Sequence, residues 1–263
     1  MNVKSKLYIA FFTALLTVNS SADEIVAKSY DIKNIDSVVV TGAGRMDLVQ
    51  GDSESLRVEA EKEIMERVVV DQSGSKLTLS VKNFGKGFSF FHWFDNNNGE
   101  VKYILQVKNI KFIGASGASH VKTGNLTGKS LDLDASGASE IIFANLALEG
   151  FFVELSGASN LRFQQLNTEK AKFKLSGAAN VDVKENSQAE FLKIGASGAS
   201  NFRGKLFKVQ KAEVGASGAS NIDVYATEFL KADASGASNV KYLGSPKTDI
   251  DSSGASHINA VKH

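Results

Sequence analysis

Aligned on a recurring Ser-Gly-Ala-Ser tetrapeptide, the chain shows apolar and polar positions in regular alternation. The tetrapeptide (Ser-Gly-Ala-Ala once) begins at Ser116, Ser136, Ser156, Ser176, Ser197, Ser217, Ser235 and Ser253, with spacings of 20, 20, 20, 21, 20, 18 and 18 residues. A degenerate copy, Thr41-Gly42-Ala43-Gly44, carries the same frame, with Val38 and Val40 before it and Met46 and Leu48 after it. One position before the first serine stand Ala115, Ala135, Leu155, Leu175, Ala196, Ala216, Ala234 and Ser252; three before stand Ile113, Leu133, Val153, Phe173, Ile194, Val214, Ala232 and Ile250. The position between them is Gly114, Asp134, Glu154, Lys174, Gly195, Gly215, Asp233 or Asp251. After the tetrapeptide, Val121, Ile141, Leu161, Val181, Phe202, Ile222, Val240 and Ile258 share one frame position. A period of two is the signature of a strand with one buried face.

Each unit therefore reads as strand, Gly-Ala corner, strand and return turn. A unit of this size cannot bury its own apolar face, but stacked units can. The prediction is an all-β fold: a right-handed parallel β-helix or solenoid of 18–21-residue coils, because parallel crossovers are almost always right-handed. Glycine makes the bend, alanine is expected to point into the tight corner, and the serines to bond local backbone or stack between coils. The next column reads His120, Glu140, Asn160, Asn180, Asn201, Asn221, Asn239 and His257, and predicts amide ladders. Two positions on, Arg162, Asp182, Arg203, Asp223 and Lys241 alternate in sign, which would hold the register.

The first residues change the picture of where the protein works. Lys4 and Lys6 precede the apolar run Leu7–Val18, too short to span a bilayer comfortably, and Ser20-Ser21-Ala22 supplies small residues at a cleavage site. Residues 1–22 read as a signal peptide cleaved after Ala22, with no further membrane span in the mature chain. Residues 23–110 read as a β-rich N-terminal segment with the degenerate coil, and 111–263 as the solenoid. Cleavage would leave 28 basic against 29 acidic residues, which argues against a nucleic-acid partner. The chain has no cysteine, so neither disulfides nor a lipidated cysteine is available to an exported product.

On these columns, the β-rich segment before them and the signal peptide, the chain resembles the bacterial DUF2807 family, described as "putative autotransporter adhesin, head GIN" domains. The similarity covers roughly residues 30–260. It implies a right-handed β-helix-like fold in an exported protein of the periplasm or cell surface, with binding and not catalysis as its role. Related solenoids imply a polysaccharide-degrading enzyme as the alternative. A passive structural scaffold is the third reading.

Catalytic motifs are weak. Gly114-Ala115-Ser116 is followed by glycine one place too early for a nucleophile elbow. Gly128-Lys129-Ser130 lacks the earlier glycine of a phosphate-binding loop. Glycan cleavage needs two facing carboxylates, and Asp132, Asp134, Glu154, Asp233, Asp249 and Asp251 are the candidates, read as one solvated column. His120 and His257 lie too far apart to share a proton or metal. No cofactor motif is present, and no residue is assigned to catalysis or metal binding.

One stretch breaks the pattern. Phe84–Gly99 (FGKGFSFFHWFDNNNG) holds the only tryptophan and lies between two strand-like runs, Leu77–Val81 and Val101–Val107. It reads as a long hairpin whose aromatics either cap the solenoid or form a patch for a glycan or surface-protein ligand. Phe88, Phe91, Trp93 and Phe94 supply flat apolar faces for the second reading, and Asp95, Asn96 and Asn97 the hydrogen-bonding groups. Few residues follow the last corner. The uncovered coil predicts either self-association as a homo-oligomer or a cap formed by residues 24–110.

Overall fold

The computed structural model describes residues 24–82 and 100–261. It is nearly all β, with 71% strand and 2% helix, and forms a β-solenoid of about 7 turns. The elements in chain order are β1 (Ile25–Tyr30), β2 (Ser37–Gly42), β3 (Gly44–Gln50), β4 (Ser55–Glu61), α1 (Lys62–Met65), β5 (Val68–Ser73), β6 (Lys76–Val81), β7 (Val101–Val107), β8 (Phe112–Gly117), β9 (His120–Thr123), β10 (Leu126–Ala135), β11 (Glu140–Leu155), β12 (Asn160–Leu175), β13 (Asn180–Val183), β14 (Ser187–Ala196), β15 (Asn201–Ala216), β16 (Asn221–Ala234), β17 (Asn239–Leu243), β18 (Lys247–Ser252) and β19 (His257–Ala260).

Successive coils pair in parallel and in register with the aligned columns. Ile141 faces Leu161, Leu161 faces Val181, and Val181 faces Phe202. The degenerate copy belongs to the same stack: Thr41 and Gly42 pair with Ser116 and Gly117, and Met46 with Val121. Inward positions are fully buried through most of the stack. In the middle coils they carry Phe143, Phe151, Phe163, Phe173, Phe202 and Phe207, whose rings meet mostly edge to face with centroids 5.0–6.4 Å apart. That geometry suits the quadrupoles of neighbouring rings.

The expected return turn is mostly absent. In β11, β12, β15 and β16 the chain stays extended from one corner to the next. It turns instead by breaking the alternation. In β11, Ala144 and Asn145 both face outward, and Gly150 and Phe151 both face inward. Two phase changes plus the Ser-Gly-Ala-Ser corner give a full coil three flat runs.

The corner itself differs from expectation in one respect. Alanine points out at the turn, while the second serine is buried: Ser119, Ser139, Ser159, Ser200, Ser220 and Ser238 are at most 1% exposed. The buried hydroxyl is satisfied locally, donating to the carbonyl of the first serine three residues back, at 2.7 Å from Ser139 to Ser136 and 2.8 Å from Ser200 to Ser197. Satisfying the hydroxyl removes most of the penalty for burying it. Glycine is required twice over. Its φ lies between 69° and 83° in all eight corners, and an added Cβ would stand 2.5–3.0 Å from the glycine carbonyl oxygen of the preceding coil. That oxygen accepts the N–H of the stacked corner's alanine, as from Ala158 to Gly137 at 2.7 Å.

The N-terminal segment closes one end of the stack. β6 pairs in parallel with β2, and β7 with β3, making a layer beyond the first coil. Antiparallel neighbours then flank that layer: β5 on β6, β4 on β7 and β1 on β4. Lys111 Nζ reaches Asp36 Oδ2 at 2.9 Å and ties the first coil to this end. Hydrogen bonds from Lys111 and Ser75 hold the Asp36 carboxyl below its ordinary value.

Two expectations are corrected here. Residues 24–110 do not cover the last coil. Their strands join the opposite end, because β2 and β3 stack on β8 and β9, at the start of the repeat array. Among the described residues β18 pairs only with β16, and β19 only with β17. The runs on either side of the aromatic stretch do not form a hairpin either. β6 and β7 each pair with a different strand of the first coil, and Leu79 faces Val40 while Val101 faces Gly44. β6 ends at Val81 and β7 begins at Val101, on the two sides of the position where the next layer would have its Ser-Gly-Ala-Ser corner.

Candidate functional site

The outward columns present three distinct chemistries. The first is the acidic face. Asp134, Glu154, Asp233 and Asp251 share one row with Lys174, Gly195 and Gly215. Asp132 and Asp249 stand in the row beside it, in register with Phe152 and Lys231, so the single column read from the sequence is two. Lysines from adjacent coils partner these acids: Lys174 pairs with Glu154, and Lys231 with Asp249 at 3.4 Å. The two carboxylates that would act together, Asp134 and Glu154, line a shallow depression of about 330 Å³ with Lys174 in its wall.

The second is the asparagine row, and here each amide is occupied. The side-chain nitrogen of Asn180 donates to Asn160 Oδ1 at 3.1 Å, Asn201 to Asn180 at 2.9 Å, Asn221 to Asn201 at 3.1 Å and Asn239 to Asn221 at 3.3 Å. Asn180 also donates to the alanine carbonyl of its own corner. Beside it the charged row is in register. Asp182 takes an ion pair from Arg203 at 3.1 Å and another from Arg162 at 3.8 Å. His120 and Glu140, in register with the asparagines and preceding them, form a pair 3.1 Å apart. These rows bond to themselves.

The third arises where the coil length changes, and the sequence reading passed over it. The coil beginning at Ser176 has one residue more than its neighbours. The surplus interrupts the strand at 184–186, between β13 and β14. Ser187 enters the inner row where the preceding coil has Leu166. It is 4% exposed, accepts Leu166 N–H at 2.9 Å and donates to Glu185 O at 3.0 Å. Two coils on, the opposite happens. Four residues separate Arg203 from Lys208, but one separates their partners Asp223 and Tyr225. Lys205 and Leu206 overhang the shorter coil.

Between the long coil and the short one lies a recess of about 530 Å³, lined by Gln165, Asn167, Gln188, Lys205, Lys208 and Tyr225 among others. Asn167, Gln188, Lys208 and Tyr225 are register partners on four successive coils. At the strand spacing of about 4.8 Å they form a row about 14 Å long. Lys208 Nζ lies 5.8 Å from the Tyr225 ring centroid. Among the described residues, the side chains of Asn167 and Gln188 have no hydrogen-bond partner. The signal that could have found this site was the run of spacings 21, 20 and 18, where a strict repeat would keep one value.

Phe88, Phe91, Trp93, Phe94, Asp95, Asn96 and Asn97 lie in residues 83–99, outside the described residues. The structure brings neither His120 and His257 together nor the two ends of the acidic face. Among the described residues no helix is long and apolar enough to cross a membrane.

Solved structures share this architecture. A "putative adhesin" from Parabacteroides distasonis superposes with a TM-score of 0.79 at 16% identity, covering 91% of this chain and 98% of its own. A second, from Parabacteroides merdae, gives 0.75 at 17% identity, covering 91% and 97%. A "putative lipid binding protein" from Parabacteroides distasonis gives 0.69 at 20% identity, covering 90% and 97%. At such identities the likeness establishes the fold. No curated protein matches the chain. The family model described as "Putative auto-transporter adhesin, head GIN domain" matches residues 34–246, which takes in the cap layer and the coils carrying the recess, and the chain belongs to that family, DUF2807.

Proposed function

We propose that this is an exported, adhesin-like binding module that recognises its ligand through the outward rows of the solenoid and has no catalytic centre. One observation carries the reading. The outward side chains stand in long, register-locked rows on a rigid stack, and the carboxylates that an enzyme would use lie on an open face with Lys174 and Lys231 paired to two of them. Such a surface suits multipoint contact with an extended partner and lacks the enclosed, convergent groups that chemistry needs. The family description and the structural neighbours named as adhesins support the same reading.

Export belongs to it, with cleavage after Ala22 releasing the chain from Asp23. Mass spectrometry of the protein recovered outside the cytoplasm should show Asp23 at the N-terminus. For binding, beads coated with the chain from Asp23 should adhere saturably to surface glycans or cells. Asp134→Ala with Glu154→Ala should leave that adhesion unchanged. Release of reducing ends from a polysaccharide, lost in the double variant, would overturn the reading in favour of the enzyme.

A further inference from the structure

We infer that the recess between the long and short coils is a saccharide site, and that it takes an acidic oligosaccharide. This rests on the binding-module reading and gives it a site. Its lining suits sugar hydroxyls, which both donate and accept. An amide side chain offers a donor and an acceptor side by side, and the Asn167 and Gln188 amides stand in register on adjacent coils with no partner among the described residues. The Gln165 amide nitrogen already donates to Asn186 O at 3.0 Å, which anchors the floor. Tyr225 ends the row with a half-buried ring, a flat apolar face with a polar tip.

The charge is asymmetric. Lys205 and Lys208 line the recess and no carboxylate does. Lys205 makes a long pair with Asp223 at 3.9 Å, outside the lining. A carboxylate- or sulfate-bearing sugar would bring the missing negative charge to Lys208. The spacing suits a chain lying along the stack: the row advances about 4.8 Å per coil, close to the advance of one sugar ring in an extended polysaccharide. The volume of about 530 Å³ falls within the range of small-molecule sites. The asparagine row has the same spacing, but its amides are consumed by one another.

The test uses the whole chain from Asp23 on an array of uronate-, sialate- and sulfate-bearing oligosaccharides beside neutral ones, with a poly-glutamate peptide as a further arm. The strongest saccharide is then titrated by calorimetry. An acidic saccharide should be preferred. Gln188→Ala should weaken it about five- to tenfold, the size of a lost hydrogen bond. Lys208→Gln should weaken it about tenfold and abolish the preference for acidic over neutral sugars. Lys172→Gln, on another face, should change nothing. All variants should melt close to the parent, since the Gln188 amide bonds nothing among the described residues and Lys208 gives up only its long contact with the Tyr225 ring, 5.8 Å from the centroid. No saccharide bound, the peptide bound instead, or full affinity retained in both recess variants would overturn the inference. Bead adhesion undiminished in both recess variants would sink only the recess. Loss of all adhesion by the parent would sink the binding-module reading itself.

Discussion

Two polar rows run up the same solenoid, and they are built on opposite principles. The row Asn160–Asn180–Asn201–Asn221–Asn239 repeats one residue, and each amide bonds the next. The row Asn167–Gln188–Lys208–Tyr225 changes residue at every coil. Repetition lets a polar column satisfy itself, so it becomes structure. Variation at the same spacing leaves the Asn167 and Gln188 amides without a partner among the described residues, and the coil-length changes around them open the space for a ligand to use them.

That contrast can be broken in steps of decreasing size. The corner beneath the asparagine row is the most sensitive point. Gly198 has φ 72°, and a Cβ there would sit 2.5 Å from Gly177 O. Gly198→Ala should destabilise the chain by about 3 kcal/mol, through strain and clash together, read as a lowered urea midpoint. By contrast Gly195, where an added Cβ meets nothing within 4 Å, should accept alanine with no loss, or with a gain of about 0.5 kcal/mol.

Asn201→Ala comes next. It removes a donor to Asn180 and an acceptor for Asn221 at once, and should cost about 2 kcal/mol, seen as faster amide exchange in the coils on both sides. Ser200→Ala should cost about 1 kcal/mol in a thermal melt, because the coil before it already carries Ala179 at the equivalent buried position. Gln188→Ala should leave stability within about 0.5 kcal/mol, while weakening saccharide binding. Equal destabilisation by Asn201→Ala and Gln188→Ala would erase the distinction between the rows.

The repeat made much of this legible before any coordinates. Strand faces, coil stacking and the register of the asparagine and charged rows follow from one aligned tetrapeptide, because a parallel stack puts equivalent residues side by side. The inside of the corner was not legible. Ala and Ser are both small, and the turn suspends the two-residue period, so residue type does not tell which of Ala199 and Ser200 faces inward. The backbone turn sets it, Ala179 being buried at the same position without a hydroxyl, and the bond to Ser197 O satisfies Ser200 once it is inside. The placement of residues 24–82 was hidden for another reason: it depends on pairings far apart in sequence, such as Val38 with both Leu77 and Ile113. The recess was visible only as an irregular spacing, whose meaning needs the register offset of three residues between Arg203–Lys208 and their partners Asp223 and Tyr225.

The most direct test is amide chemical-shift mapping of the isotope-labelled chain during titration with the preferred acidic saccharide. The account predicts perturbations clustered at residues 165–167, 186–188, 205–208 and 225, with the Asn180–Asn201–Asn221 row silent. Perturbations centred on the acidic face around Asp134 and Glu154, or on residues 84–99 with the recess silent, would contradict it.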